Sequence, residues 1–308
     1  MATKKSMKIL QIMLMMIGLA TLMTLPAFAA PKWPIPEGIK TIEVNGYDMA
    51  YQEIGRGVPL VLVHGMLVDY RVWSLQVPDF SKAYRTISVS LRHSYPEKWN
   101  GVGNDFSIPQ HASDVAALIK NLNIGKVHLF GHSRGGAVVL NLARLYPEVI
   151  RTLILEDGLG MESLLPADPE SQKSAAEATE RRRMLRVNIS AGDMEKAARE
   201  FQDALGGRGY WEKIPAERKQ MILDNIRPAM VDEKWPEIRC ADIQKFSFPV
   251  LLLTGERSPK FYGQTYSAMR QCKSDILAPV IIPRGTHNMH RDNPEFFNKA
   301  VLDFLNQH

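Results

Sequence analysis

Short runs of apolar residues alternate with polar stretches along most of the chain. The segments 41–44 and 49–54 predict two short strands, and Asn45-Gly46 between them predicts a hairpin turn. Residues 60–63 are apolar at every position, which is typical of a strand buried on both faces of a parallel sheet. Similar runs predict further strands at 86–89, 127–130, 153–155, 250–253 and 280–282.

Segments with helical periodicity separate these strands. Residues 105–122 predict a helix with Ser107 as its N-cap, and residues 137–146 predict a second helix that ends before Pro147. A third helix begins near Pro294, and its apolar stripe consists of Phe296, Phe297, Ala300, Val301 and Phe304. Strands and helices in alternation predict an α/β fold with a doubly wound, mostly parallel sheet.

Residues 160–239 interrupt this alternation. They contain no convincing strand, and two polar segments, 178–186 and 194–204, have helical character. We interpret the region as a helical cap inserted into an α/β core formed by residues 30–159 and 240–308.

Two groups of residues in the predicted cap have alternative interpretations. The run Arg181-Arg182-Arg183 favours a solvated helix face, and contact with an anionic substrate is the alternative. Tyr210 and Trp211 are expected to hold the cap to the core, and the alternative is that they line the mouth of a pocket.

The first 29 residues predict a signal peptide. Lys4, Lys5 and Lys8 precede an apolar run, and Ala27-Phe28-Ala29 fits the small-x-small rule for signal peptidase. Cleavage after Ala29 gives a periplasmic or secreted protein without stable membrane insertion. An uncleaved membrane anchor is the alternative, which the short apolar run disfavours.

The net charge gives little support for a nucleic-acid partner. The full chain carries a formal charge of +5, and the three lysines of the signal segment account for three of these charges. Residues 30–308 are therefore close to neutral, and we expect no nucleic-acid partner. The sequence does not fix the oligomeric state.

Cys240 and Cys272 are the only cysteines in the chain. Two cysteines in an oxidising compartment can pair, but their spacing does not require it. We expect buried free thiols, with a disulfide as the alternative. Two cysteines cannot form a zinc site by themselves, and no other ligand cluster stands out, so the sequence predicts no metal and no cofactor.

The segment Gly131-His132-Ser133-Arg134-Gly135 carries the clearest chemical signal. It follows an apolar strand and precedes a helix, with a glycine on each side of the serine. A serine on such a tight turn exposes its hydroxyl above the sheet, and bulky side chains at the glycine positions would clash. The pattern predicts Ser133 as a nucleophile, and a plain turn serine is the alternative.

Three motifs together resemble the α/β-hydrolase superfamily over nearly all of the chain after residue 30. Val61-Leu62-Val63-His64-Gly65 is similar to the strand and loop that supply half of the oxyanion hole. Residues 130–136 are similar to the nucleophile elbow. Gly285-Thr286-His287, followed by Asn293-Pro294-Glu295, is similar to the segment that carries the catalytic histidine. These motifs are specific for the fold but not for the substrate.

The resemblance implies roles for several residues near Ser133. His287 is the expected general base, because it follows a late strand and completes the order serine, acid, histidine. His290, one helical turn later, is the rival candidate. Backbone N–H groups of Met66 and Arg134 are expected to form the oxyanion hole, and His64 is expected to support its loop by hydrogen bonding.

The acid of the triad departs from the common pattern. Many superfamily members carry the acid after the strand that is here 250–253, where this chain has Ser258, a residue that cannot stabilise an imidazolium by charge. Other members carry it after the preceding strand, and Asp157 is in register with that position. Asp157 is therefore the expected acid, with Glu256 and Glu156 as alternatives. A helix-capping role for Asp157 is the other interpretation.

These residues predict a serine hydrolase for a small-molecule acyl substrate of small to medium size, with carboxylic esters as the expected class. The same residues also serve amide, peptide or C–C cleavage and some lyases, and a catalytically silent binding protein is a further alternative. Haloalkane dehalogenases and epoxide hydrolases of this fold need a carboxylate at the elbow. Ser133 therefore argues against those two reactions.

The loop at 90–96 also departs from the superfamily pattern. Relatives often read Asp-x-Arg-Gly-x-Gly-x-Ser there, and only Arg92 is in register. We favour a remodelled structural loop. The alternative is that His93, Tyr95 and Trp99 line the mouth of the pocket.

Overall fold

One sheet of eight strands organises the protein. The structure, a computed structural model, describes residues 33–308, so the predicted signal segment and its cleavage site after Ala29 lie outside the described residues. The strands are β1 (Ile39–Val44), β2 (Tyr47–Ile54), β3 (Pro59–Val63), β4 (Arg85–Val89), β5 (Val127–His132), β6 (Ile150–Glu156), β7 (Val250–Gly255) and β8 (Val280–Ile282).

The strands lie in the order β1-β2-β4-β3-β5-β6-β7-β8. β1 and β2 form the predicted hairpin, and β2 also pairs antiparallel with β4. All other neighbouring strands are parallel, which confirms the prediction of a mostly parallel sheet. The carboxyl ends of β3, β5, β6 and β7 consequently meet at one edge, where ligands bind in folds of this type.

Helices cover the sheet. They are α1 (Val77–Phe80), α2 (Ile108–Asn121), α3 (Arg134–Leu145), α4 (Pro169–Ser190), α5 (Met194–Gly206), α6 (Tyr210–Lys213), α7 (Ala216–Asp224), α8 (Cys240–Ile243), α9 (Lys260–Cys272), α10 (Met289–Asp292) and α11 (Pro294–Leu305). Between residues 33 and 308, no helix has the length and apolar character that crossing a membrane requires.

The central strands bury side chains on both faces. In β3, Val61 and Val63 belong to an apolar cluster that includes α2 and α3, whereas Leu60 and Leu62 belong to a second cluster that includes Phe297 of α11. Full burial of one such side chain contributes about 1.5–3 kcal/mol. Because both faces are covered, the strand is apolar at every position rather than at alternate ones.

Residues 160–239 contribute helices and no strand to the described structure. α4 begins at Pro169, well before the predicted segment 178–186, and Asp168 caps its N-terminus. The Asp168 carboxylate accepts hydrogen bonds from the N–H groups of Glu170 and Ser171, each at 3.0 Å. Trp211 of α6 is buried in the second apolar cluster, as expected for a side chain that holds this region to the core.

Two predicted helices differ from the structure in detail. α3 begins at Arg134 rather than at residue 137, because the glycines that follow Ser133 form its first turn. On α11, Phe296 leaves the predicted apolar stripe and is 42% exposed. Asn298 is buried on that helix, where its side chain bonds to Gln76 and Asp79.

Cys240 and Cys272 form a disulfide bond, which corrects the expectation of free thiols. Cys240 begins α8 and Cys272 ends α9, and the packing of these helices brings the two Cα atoms to 4.9 Å. That separation lies within the range that disulfides require. The spacing of the cysteines along the chain does not reveal this packing.

Loss of the disulfide should destabilise the protein. The bond closes a loop across a sequence separation of 32 residues, and the unfolded-chain entropy removed by such a loop corresponds to about 3–4 kcal/mol. We expect the urea midpoint, measured by circular dichroism, to fall when dithiothreitol is added. A Cys240→Ser/Cys272→Ser variant should have the lower midpoint and no response to dithiothreitol. Equal midpoints for the oxidised protein and this variant would contradict the prediction.

Candidate active site

Ser133 lies on a sharp turn between β5 and α3. Its backbone has φ 54° and ψ −120°, a conformation that residues other than glycine rarely adopt. The Ser133 N–H donates to the Glu156 carbonyl at 2.9 Å, and the Ser133 carbonyl accepts from the Leu159 N–H at 3.0 Å. Strain of this kind persists only where surrounding contacts fix it, and it is frequent at functional sites.

The glycines beside Ser133 permit close packing of three backbone segments. A Cβ atom on Gly135 would overlap the carbonyl oxygens of Val63 and His64. A Cβ atom on Gly131 would lie 2.5 Å from the Gly135 carbonyl oxygen. A larger residue at position 135 would therefore push the turn away from the end of β3, and one at position 131 would push α3 away from β5.

His64 fixes the loop that follows β3. Its Nδ1 lies 2.8 Å from the Gly65 carbonyl oxygen, and its Nε2 accepts from the Leu91 N–H at 3.0 Å. Because a backbone N–H is always a donor, Nε2 is unprotonated and Nδ1 carries the proton. The supporting role expected for His64 therefore has a defined hydrogen-bond pattern.

Met66 and Arg134, the residues expected to form an oxyanion hole, both lie beside Ser133. Met66 lines the same small cavity as Ser133, and Arg134 is the first residue of α3, where a backbone N–H has no partner within the helix. The Arg134 side chain is buried and forms two hydrogen bonds to Glu233, at 2.6 and 2.8 Å. A third bond joins it to His111 Nδ1 at 2.9 Å. The two bonds to Glu233 connect the end of the 160–239 region to the turn at Ser133.

His287 follows β8, and its ring contacts the carboxylate of Asp157. Its Nδ1 lies 3.1 Å from Asp157 Oδ2, which leaves Nε2 free to accept a proton. The ring stacks on Tyr262, with 4.8 Å between the ring centroids and 16° between the planes. His132 Nε2 donates to the His287 carbonyl at 3.0 Å. Within residues 33–308, no hydrogen bond connects the Ser133 hydroxyl to His287 directly.

Asp157 is fully buried at the end of β6 and contacts three side-chain donors. Its Oδ1 accepts from Thr254 Oγ1 at 2.7 Å, and its Oδ2 accepts from Ser258 Oγ at 2.6 Å and from His287 Nδ1. Ser258, at the position where the resemblance implies an acid, thus donates to Asp157 at the end of the neighbouring strand. From sequence neither hydroxyl has an assigned role, and the only signal for one is that Thr254 lies at the end of β7 and Ser258 shortly after it.

The alternative acids make other contacts. Glu156 Oε1 lies 2.7 Å from Nδ1 of His290, the rival base, and both side chains are fully buried. Glu256 is exposed and accepts from a backbone N–H of the turn after β8. The acids and histidines considered from the sequence therefore form two separate pairs, Asp157 with His287 and Glu156 with His290.

Burial controls the charge state of the Asp157–His287 pair. Burial lowers the pKa of His287 far below its usual value of 6.5, and the positive charges of Arg181 and Arg218 lower it further. Burial raises the pKa of Asp157, against the effect of the two hydroxyl groups that donate to it. The imidazole is consequently neutral at pH 7 and able to accept a proton.

Three buried side chains behind His287 are the one group of possible metal ligands within the described residues. The ligand atoms of His132, Glu156 and His290 lie within 4.8 Å of one another. None of the three residues lines the cavity at Ser133. Because Glu156 already bonds to His290, we describe the group as a buried acid–histidine pair with a neighbouring histidine.

The cavity at Ser133 is small and is closed by residues of the 160–239 region. Its volume is about 20 Å³, which leaves room for roughly one water molecule. Its lining consists of Met66, Ser133, Leu159, Ala178, Arg181, Arg182, Phe201, Leu205 and Tyr262. The arginine run is therefore not a uniformly solvated face: Arg181 and Arg182 reach this cavity, and only Arg183 is exposed. Phe201, Leu205 and Tyr262 have no sequence signal that predicts this position.

The loop after β4 does not line this cavity. His93 stacks on Trp99 with 4.6 Å between the ring centroids, and its ring nitrogens bond to Glu97 and Asp105. With Tyr95, these two aromatic residues line a separate groove of about 560 Å³ beside α7. The interpretation as a structural loop stays a prediction, and the groove that these residues line is separate from the cavity at Ser133.

The chain is similar to known hydrolases in sequence. Residues 60–300 match the model of a family described as "Alpha/beta hydrolase family". The chain is 24% identical over 282 residues to an (E)-2-((N-methylformamido)methylene)succinate hydrolase of Acinetobacter baylyi, over 86% of this chain and 97% of that protein. It is 27% identical over 256 residues to an uncharacterized carboxylesterase, nap, of Bacillus subtilis, over 80% of this chain and 79% of that protein.

Solved structures show the same architecture. A thermophilic esterase from Thermogutta terrifontis, solved with malate bound, has a TM-score of 0.70 and 25% identity to this protein. The similarity covers 87% of this chain and 97% of the esterase. The family match spans most of the chain and the sheet has the expected strand arrangement, so the chain belongs to the alpha/beta hydrolase family and is a hydrolase.

Proposed function

We propose that this protein is a serine hydrolase that cleaves carboxylic esters of small to medium acyl groups. Ser133 is the nucleophile, His287 the general base and Asp157 the acid. The observation that carries the proposal is the 3.1 Å contact between His287 Nδ1 and Asp157 Oδ2, at the sheet edge where the strained Ser133 turn lies. The names of the Bacillus carboxylesterase and the Thermogutta esterase support an ester substrate.

Acyl transfer to the enzyme is the first half of the proposed reaction. His287 Nε2 takes the hydroxyl proton of Ser133 while Oγ attacks the acyl carbonyl. The N–H groups of Met66 and Arg134 donate to the oxyanion that forms. His287 then gives its proton to the alcohol leaving group, and the acyl group remains as an ester on Ser133.

Hydrolysis of this acyl-enzyme is the second half. His287 removes a proton from a water molecule that attacks the acyl carbonyl, and it returns the proton to Ser133 as the carboxylic acid leaves. Asp157 keeps Nδ1 of His287 protonated and stabilises the imidazolium formed in both halves. The hydrogen bond between Ser133 and His287 forms when substrate binds, because catalytic hydrogen bonds are often long in free enzymes.

Two of the similar proteins also suggest which acyl groups to test first. The Acinetobacter relative is named for a substituted succinate, and the Thermogutta esterase was solved with malate. Both compounds are dicarboxylates, so an ester that carries a second carboxylate belongs in the substrate panel.

Replacement of Ser133 should abolish covalent labelling. A fluorophosphonate probe reacts with an activated serine, so we expect labelling of the wild type and none of Ser133→Ala, detected by gel fluorescence. Ser267→Ala is the matched control, because Ser267 is exposed on α9 and should leave labelling unchanged. A wild-type protein that remains unlabelled while folded would refute the proposed nucleophile.

Removal of the Asp157 charge should reduce turnover strongly. By analogy with other serine triads, Asp157→Asn should lower kcat by about 10³–10⁴-fold, because the histidine loses its tautomer and the imidazolium loses its counter-charge. The measurement is hydrolysis of p-nitrophenyl butyrate. Glu256→Gln is the control and should change kcat by less than about 3-fold, since surface substitutions have small effects.

An exchange of two residues tests the same assignment without removing the charge. Ser258 and Asp157 are in direct contact, so the double variant Asp157→Ser/Ser258→Asp moves the carboxylate to the position common in relatives. We expect it to recover part of the activity that Asp157→Ser alone loses. If Glu256→Gln abolishes turnover and Asp157→Asn does not, the assignment of the acid is wrong.

Acidification should reduce activity near neutral pH. Burial raises the pKa of Asp157 to about 7, so its carboxylate takes up a proton as the pH falls through that range, whereas the lowered pKa of His287 keeps the imidazole neutral there. Because the proposed mechanism needs an ionised Asp157, we expect the acidic limb of kcat/KM for p-nitrophenyl butyrate to lie near pH 7. Enzyme held at each pH and then assayed at pH 7.5 controls for unfolding. An acidic limb below about pH 6 would contradict the prediction.

A further inference from the structure

We propose that Arg181 recognises a carboxylate on the acyl group, so that the preferred substrates are esters that carry a free carboxylate a few bonds from the scissile carbonyl. The inference rests on the proposed role of Ser133 and specifies the class of substrate for that site. It assigns Arg181 as a specificity-determining residue.

The first argument is the charge of the cavity at Ser133. Of its nine lining residues, the charged ones are Arg181 and Arg182, and none is acidic. The cavity has a volume of about 20 Å³, room for roughly one water molecule, and both arginines line it together with Ser133. An anionic group attached to a short acyl chain at Ser133 would therefore reach a guanidinium.

The second argument is that Arg181 lacks a partner. Within the described part of the chain, its guanidinium has no hydrogen bond and no carboxylate within ion-pair distance. Its neighbours differ: Arg182 lies 3.8 Å from Glu162, and Arg183 lies 2.7 Å from Glu180. The Arg181 side chain is half-buried and its guanidinium is available to a ligand, since a carboxylate can pair with it through two parallel hydrogen bonds.

The third argument concerns the acidic residues nearest to Arg181. A groove of about 600 Å³ between α4 and α5 shares Arg181 and Phe201 with the Ser133 cavity. Its acidic residues each lie within 4.0 Å of another cation: Glu177 of Lys173, Glu180 of Arg183 and Glu200 of Lys196. Arg181 therefore lies between a groove whose acids are closer to other cations and a cavity that contains no acid.

The position of Arg181 also fits an entry route. A cavity of about 20 Å³ is too small for an acyl group, so the side chains that separate it from the groove must move when substrate binds. Those side chains are Arg181 and Phe201, which line both spaces. A carboxylate that enters from the groove consequently meets Arg181 before the ester reaches Ser133.

Two esters that differ only in charge test the proposal. Monoethyl succinate carries a carboxylate where ethyl succinamate carries a neutral amide of similar shape. We expect wild-type kcat/KM, measured by pH-stat titration, to favour the acid ester. Arg181→Gln should lower the ratio of acid to amide kcat/KM by about 30-fold, the order expected for charge-assisted hydrogen bonds. Arg181→Lys should restore part of the ratio, because it restores the charge.

Arg183→Gln is the matched control. Arg183 lies on the same helix but is exposed and paired with Glu180, so its replacement should leave the ratio unchanged. A wild-type enzyme that hydrolyses the amide ester as well as the acid ester would overturn the proposal. An equal loss for both esters in Arg181→Gln would also overturn it, because that result indicates a structural role.

Binding to an inactive protein separates this inference from the proposed reaction. We expect monoethyl succinate to bind Ser133→Ala, as measured by isothermal titration calorimetry, and to bind at least about 30-fold more weakly after the added change Arg181→Gln. If the wild type cleaves neither ester, the proposed ester hydrolysis fails and the binding result still decides the role of Arg181. Equal binding to the two proteins overturns that role.

Discussion

Parallel pairing of β5, β6 and β7 is the constraint on which the candidate site depends. The three strands end at the same edge, so Ser133, Asp157 and Ser258 leave the sheet side by side although they are far apart in the chain. Backbone bonds continue the pairing into the site, since Ser133 N–H donates to Glu156 and Asp157 N–H donates to Leu253. A slip of one residue would turn each strand's side chains to the opposite face. Two-sided apolar burial of these strands makes such a slip costly.

The same burial determines the chemistry available at the site. A buried carboxylate is stable only when hydrogen bonds replace the water it has lost, and Asp157 has Thr254, Ser258 and His287 for this purpose. In the proposed triad, Ser258 is therefore a hydrogen-bond partner of Asp157 rather than the acid itself. Burial also keeps His287 neutral, with Nδ1 directed at Asp157 and Nε2 free. Fold stability and the protonation state of the proposed base thus have one physical origin.

The helices between β6 and β7 are joined to the site by polar contacts as well as by apolar packing. Arg134, directly after Ser133, bonds to Glu233, and Arg218 bonds to Asn288, directly after His287. Both contacts are largely buried, so breaking either would leave charged or polar groups without partners. The region that closes the cavity is therefore coupled to the turns that carry the proposed nucleophile and base. Movement of these helices during substrate entry would therefore shift both turns.

Much of this arrangement is readable in the sequence, because it depends on neighbouring residues. Apolar runs predict buried strands, and a serine flanked by glycines between a strand and a helix predicts the Ser133 turn. The tertiary structure alone decided which acid meets His287, since that contact joins residues 130 positions apart. It also decided that Cys240 pairs with Cys272 and that Arg181 faces the cavity. Such contacts depend on how helices and strands dock, and the spacing of residues along a chain does not specify docking.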